Sequence, residues 1–406
     1  NAGIKPLLDY TDNIGIFQEF EQNLLFEQES TEKIKMNHIK TLLAGNFIGV
    51  DKLERYRQLE SDPLIKAYDI NVRKPENISR FLSNFDFKTT QMLRNISMRI
   101  FKKILRKSNL EEITIDIDSS VLNVEGNQEG ATKGYNPKYR GNKCYNALYA
   151  FCDQLKAFIT GFNRPGNAYT ANGTAELIKE IIANLKNDVK DITFRMDSGY
   201  FNEEIIKTIE QADYKYIIKA KKYASLMAMI DNNFKNMNWE KHGENQEAAF
   251  YAMKLDNWEE DRKFIIVREL KPEEERRQGV LFESHNYNYF IYVTNMELEL
   301  SESIYFYQKR GNSENYIKES KYDLNIGTLL LKPFWANEAL FQIAMLVYNI
   351  FLMFKMAYLS PVEYRQQIKT FRLKYIYVAG QLIKAARQTI LKLMPNYPHK
   401  ELFATV

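Results

Sequence analysis

Cysteine is nearly absent from the 406 residues: Cys144 and Cys152 are the only two. That excludes a disulfide framework and fits a reducing cytoplasm. Histidine is almost as scarce, and His38, His242, His285 and His399 are scattered singly, so a His/Cys zinc site of recognisable spacing is excluded and any metal must sit on carboxylates. No uncharged run is long enough to span a membrane. The longest, residues 339–354, covers 16 positions and carries Gln342 and Asn349, which marks a buried helix. Internal repeats and low-complexity linkers are also missing. The net charge of +4 is too small to announce a nucleic-acid protein. What is present is ordinary globular composition, 45% apolar and 27% charged, with room for two or three domains at about 150 residues each.

The charge is unevenly spread. Residues 88–107 hold seven Lys or Arg and no acid, and residues 355–400 hold nine against Glu363 alone. Either stretch could follow a phosphate backbone, whose neutralisation supplies most non-specific affinity; a solvated helix face has the same composition.

Residues 14–107 read as helices, because apolar positions recur at three- and four-residue spacing. Ile96, Ile100 and Ile104, with Leu93, Phe101 and Leu105, form one stripe that keeps the basic residues off it. Short helices opening at Pro63 and at Pro75 could form a helix-turn-helix or belong to a plain bundle. At Ile113 the pattern changes: Ile113-Thr114-Ile115-Asp116-Ile117-Asp118 alternates as a strand does. Further strands are expected over 145–151, 157–161, 192–197 and 214–220, and helices over 174–185 and 203–211. Hairpin strands followed by strands alternating with helices predict a mixed α/β sheet with helices on its faces. The division that follows is 1–108, a helical region that would bind DNA through its basic helix or a helix-turn-helix; 109–221, the first part of a sheet core; 222–300, a β-rich insertion; 301–358, the second part of the core; and 359–406, a basic helical C-terminal region.

Three acids stand out. Asp118 and Asp197 each end an apolar strand and are each followed by serine, and strand ends of such sheets share a crevice. Two close anions repel unless cations join them; hard carboxylate oxygens suit Mg²⁺, and two ions suit an in-line phosphoryl displacement. The third acid lies in Tyr307-x2-Arg310-x3-Glu314-x6-Lys321. On one helix, Arg310, Glu314 and Lys321 share a face, so the carboxylate could hold metal while the two cations grip phosphates. An exposed helix laced with ion pairs has the same spacing.

With these residues the chain resembles the DDE transposases of bacterial insertion sequences, in the group carrying the YREK signature, which Tyr307, Arg310, Glu314 and Lys321 match at every spacing. Asp118 is similar to the first family aspartate and Asp197, before Ser198-Gly199, to the second; Asp116 competes for the first position, though the serine after Asp118 fits the family pattern. Residues 128–138 look like the linker such enzymes carry after the first aspartate. The resemblance implies an RNase H-like catalytic domain with a β-rich insertion, and two Mg²⁺ ions, with Mn²⁺ as a substitute, on Asp118, Asp197 and Glu314. It implies cleavage of double-stranded DNA at terminal inverted repeats, strand transfer by the freed 3′-hydroxyl into target DNA, and a homodimer in the synaptic complex, on the nucleoid of a bacterial cytoplasm and away from membranes. Tyr307, Arg310 and Lys321 would contact DNA, Lys219, Lys221 and Lys222 would extend a positive track, and Trp258 or Trp239 would stack on a displaced base. The alternatives are an RNase H-like nuclease without strand transfer and a catalytically silent, transposase-derived DNA-binding protein.

Overall fold

The computed structural model describes residues 1–26, 32–256, 258–276, 283–328, 330–385 and 388–405; Arg387 of the basic C-terminal stretch lies outside them. The centre is built from β1 (Glu112–Val124), β2 (Thr132–Lys133), β3 (Lys143–Cys152), β4 (Ala157–Phe162), β5 (Asp191–Met196) and β6 (Lys215–Lys219). β3 pairs antiparallel with β1 and β4, whereas β5 runs parallel to β1 and β6 parallel to β5. The order β4-β3-β1-β5-β6 is the RNase H-like arrangement, within a mixed α/β fold. β1 is buried on both faces from Ile113 to Ile117, as a central strand covered by helices must be. It also outruns its expected end at Asp118, because residues 118–124 stay paired with β3 from Tyr149 to Lys143. Asp118 therefore lies within the strand, at the level where its other neighbour β5 stops.

The segment 222–300 is β-rich, with β7 (Glu240–Lys241), β8 (Gln246–Met253), β9 (Arg262–Leu270) and β10 (Tyr287–Thr294). Its strands do not form a separate sheet. β10 pairs antiparallel with β6, and β9, β8 and β7 follow outward, so a 10-stranded sheet runs through the molecule.

Helices α1 (Ile4–Asn13), α2 (Ile16–Asn23), α3 (Glu32–Phe47), α4 (Arg57–Glu60), α5 (Pro63–Ala67), α6 (Pro75–Leu82) and α7 (Phe87–Ser108) precede the sheet. Within it come α8 (Thr174–Leu185), α9 (Glu203–Glu210) and α10 (Ala224–Asn233); after it come α11 (Leu300–Gln308), α12 (Gly311–Asp323), α13 (Phe334–Tyr358), α14 (Ile368–Phe371) and α15 (Leu402–Thr405). Pro63 and Pro75 open α5 and α6, whose Leu64, Ile65, Ile78, Phe81 and Leu82 are buried in the common core. Asp86 starts α7 with a reciprocal capping box to Thr89. Five basic residues of α7 form ion pairs within the chain: Arg94 pairs with Glu180, Arg99 and Lys103 with Glu19, and Lys102 and Arg106 with Asp188. They tie α7 to α2 and to the α8 region, while Arg99, Lys103 and Arg106 keep 43%, 37% and 68% of their side chains exposed.

α13 is long and apolar enough to cross a membrane by length and composition, but it is buried between α7, α3 and β4. Its polar residues cover the free edge of β4. Asn349 accepts from Phe158 N at 3.0 Å and donates to Phe158 O at 2.8 Å, and Gln342 donates to Gly161 O at 2.8 Å. Backbone groups on a buried edge strand need such partners, which explains why this apolar helix keeps an amide at each position.

The C-terminal region is not the basic helical unit expected. Helix is confined to short pieces, α14 running on into a π-helical turn at Arg372–Ile376, and a hairpin of β11 (Gly380–Ala385) and β12 (Gln388–Leu393) follows. The cause is cross-strand pairing of branched side chains, Leu382 with Leu391 and Ile383 with Ile390. Two cations of the basic stretch 355–400 are also internal: buried Arg372 donates to Phe47 O, Asn46 O and Asp323 O, and Lys355, at the end of α13, donates to Gln366 O.

Candidate active site

The parallel register of β1 and β5 pairs Asp116 with Arg195 and Ile117 with Met196. One step further, Asp118 and Asp197 lie side by side where β5 ends. Asp197 turns its chain away from the sheet by capping a short 3-10 turn, its Oδ1 accepting from Gly199 N at 2.7 Å. Glycine is needed there, since a Cβ would come within 2.6 Å of Thr170 Cγ2.

The YREK segment is two helices and not one continuous helix. α11 stops at Gln308, and i to i+3 hydrogen bonds from Arg310 N to Tyr307 O and from Ser313 N to Arg310 O tighten the chain before α12 proceeds. Arg310 thus becomes the N-cap residue of α12, with Glu314 in its first turn and Lys321 in its last. The two cations pin α12 to β1 at both ends. Arg310 Nη1 meets Asp118 Oδ2 at 3.0 Å, while Lys321 Nζ donates to Val121 O at 2.7 Å and to Ser120 Oγ at 3.0 Å. The other arm of Arg310 meets Glu314 Oε1 at 2.6 Å. Asp118, Asp197, Arg310, Glu314, Lys318 and Lys321 line one open cleft of about 390 Å³. A groove of about 720 Å³ shares Ser119, Ser120, Lys321 and Tyr322 with it and adds Tyr135, Lys138 and Tyr139.

Burial and the charge of Asp197 push Asp118 up to about 6, against the opposing pull of Arg310. Burial weighs against the Arg310 charge, but Asp118, Tyr307, Asp197 and Glu314 outweigh it and hold the guanidinium protonated. Lys321 is lowered by burial and by Lys138. Among the described residues, no three Asp, Glu, His or Cys side chains are gathered closely enough to hold a metal ion. The guanidinium of Arg310 instead stands between Asp118 and Glu314.

Asp116 is separated from its neighbour by what it touches. It receives Arg195 Nε at 2.6 Å and Nη2 at 2.8 Å, with both side chains at zero exposure, so Asp118, not Asp116, opens on the cleft. Other expected contacts are not among the residues that line the cleft. Tyr307 is buried behind it, with its ring 4.5 Å from that of Tyr292 and its hydroxyl interacting with Arg310 and Asp197. Trp258 stacks on Phe264 at 5.9 Å beneath the Arg262 guanidinium, and Trp239 packs on Phe234 with Arg268 over its ring; these rings are engaged in packing. Lys219 and Lys222 flank the Phe290 ring at 5.8 and 5.9 Å, and Lys221 is exposed beside them. Arg195 was missed by reading the sequence, although an arginine inside Ile192-Thr193-Phe194-Arg195-Met196 is itself a demand for a buried acid.

A model of the transposase DDE domain group 1 family matches residues 1–406. The chain belongs to that family. No curated protein matches it. Among solved structures it is similar to one described as a cryo-EM structure of the piggyBac transposase synaptic complex with hairpin DNA, with 12% identity, 91% of this chain and 79% of that chain covered, and a TM-score of 0.48. For this transposase-family chain, the acids of β1 and β5 and the glutamate of α12 occupy one cleft at the end of β5, with a guanidinium lodged among them.

Proposed function

We propose that this transposase cuts double-stranded DNA at the terminal inverted repeats of a mobile element and joins the freed 3′-hydroxyl to target DNA, in the cytoplasm of a bacterial cell and with two copies of the chain on paired ends. The observation that carries this reading is the cleft itself: Asp118 and Asp197 on neighbouring parallel strands, with Glu314 over them on α12. The donor set fits divalent cations. Three carboxylates supply hard oxygens for Mg²⁺, and a cation beside Asp118 and Asp197 would offset the repulsion between their charges. Glu314, with 62% of its side chain exposed, has room to turn inward. Asp118, Asp197 and Glu314 would hold the ions, Mg²⁺ or Mn²⁺ in its place, which supply activation of the attacking oxygen and stabilisation of the leaving oxygen.

The chain's own cations do the rest. Arg310, released from Asp118 and Glu314, offers its planar fork to a phosphate beside the scissile bond. Lys321 stays tied to Ser120 and Val121 and presents positive charge at the junction of cleft and groove. Tyr135, Tyr139 and Lys138 line the groove along which the strand would continue.

The test uses the inverted repeats that flank the gene as substrate. Wild type should cut them with Mg²⁺ and join the 3′-ends to a target plasmid, while Asp197→Ala binds them in EDTA and cuts nothing. Cleavage by Asp197→Ala, or in EDTA, would remove the assignment. Cutting without joining would leave an RNase H-like nuclease, and binding without cutting a silent derivative.

A further inference from the structure

The buried guanidinium of Arg195 lies on one of the two strands that lead to candidate metal ligands, grips the other, and reaches α11, the helix that precedes α12. It lies on β5 two residues before Asp197, and the carboxylate it grips, Asp116, lies on β1 two residues before Asp118. Its Nη1 donates to Phe306 O at 2.6 Å, on α11 and four residues before Arg310. Its Nη2 also meets Asp153 Oδ2 at 3.0 Å in the turn between β3 and β4. At about 3.3 Å per strand residue, both aspartates of the cleft stand roughly 7 Å along their strands from this one group.

Stability alone does not account for an arginine here, since a buried ion pair is often no better than apolar residues of the same volume. What the guanidinium adds is direction: a rigid fork of five N–H donors meets Asp116, Asp153 and a backbone carbonyl at once. The Phe306 carbonyl is the part that connects the strands to the α11–α12 junction. From this geometry we infer that Arg195 is a positioning residue, fixing α11 and α12 against β1 and β5 and thereby setting where Glu314 stands relative to Asp118 and Asp197. The inference rests on the function proposed above.

The test compares wild type with Arg195→Lys, which keeps the charge but not the fork, and with the double variant Asp116→Leu/Arg195→Met, which replaces the pair by apolar volume. Thermal unfolding, Mn²⁺ binding followed by EPR, binding of the flanking repeats in EDTA, and cleavage at graded Mg²⁺ are measured on each. For folded variants, Mn²⁺ affinity should fall about 10- to 100-fold, the range for losing a group that orients metal ligands. The Mg²⁺ needed for half-maximal cleavage should rise with it, and DNA binding in EDTA should stay unchanged. A folded variant with wild-type Mn²⁺ affinity and Mg²⁺ dependence would overturn the inference. So would loss of fold in both variants, which would give Arg195 a purely structural role. Wild type that neither binds Mn²⁺ nor cuts would instead take down the proposed function, and this inference with it.

Discussion

Arg195 and Arg310 make the same kind of contact and serve opposite ends. Each clasps an aspartate of β1, and the two aspartates are two residues apart. Arg195 has no exposed surface, and its forks are filled by Asp116, Asp153 and Phe306 O. Arg310 sits over an open cleft between Asp118, 15% exposed, and Glu314, 62% exposed. A closed set of partners in the interior leaves nothing for a ligand to replace, whereas an ion pair at a cleft can be exchanged for a metal and a phosphate. Completeness of partnering, more than charge pattern, separates the structural network from the chemical one.

Substitutions at the two networks should therefore split activity from stability. The largest effect expected is loss of cleavage in Asp197→Ala by at least about a thousandfold, the scale of several kcal/mol of metal-derived stabilisation, with urea unfolding within about 1 kcal/mol of wild type. Next, Asp116→Ala should cost about 3–5 kcal/mol in urea unfolding, because it strands a buried guanidinium; a cost below about 1 kcal/mol would erase the contrast. A smaller effect is expected from pH. In the metal-free protein Asp118 is raised from 3.8 to about 6, so between those values the folded chain holds a proton that the unfolded chain has released. Stability should then fall as pH rises through that window, with the full penalty present above it. Asp118→Asn should recover roughly 1–3 kcal/mol at pH 7.5 and flatten the slope. It should not abolish it, since burial also raises Asp116 to about 6 against the pull of Arg195. The smallest effect belongs to Lys321→Met, which should lower the slope of log binding constant against log salt by about one unit and leave cleavage measurable at low salt.

The central strands, α7, α12 and α13 were legible because their signals are local: strict alternation, a 3.6-residue stripe, or a long apolar run. The three acids that line the cleft were picked out by local signals as well, an alternating apolar run before each aspartate and the YREK spacing, although Asp118 lies inside β1 and not at its end. What escaped depends on tertiary partners. The basic face of α7 is plain in the sequence, but not its partners Glu19, Glu180 and Asp188, which come in from elsewhere in the chain. Trp258 and Tyr307 look available until Phe264, Arg262 and Tyr292 close on them. The hairpin of β11 and β12 was hidden because short runs such as Leu382-Ile383 suit helix and strand alike, and only cross-strand pairing decides between them.

The most direct measurement is anomalous scattering from crystals of the DNA-bound chain grown with Mn²⁺. Two manganese peaks bridging Asp118, Asp197 and Glu314, with Arg310 turned away to a phosphate, are expected. Arg310 still seated between Asp118 and Glu314, with no manganese in the cleft, would contradict the assignment of these three carboxylates.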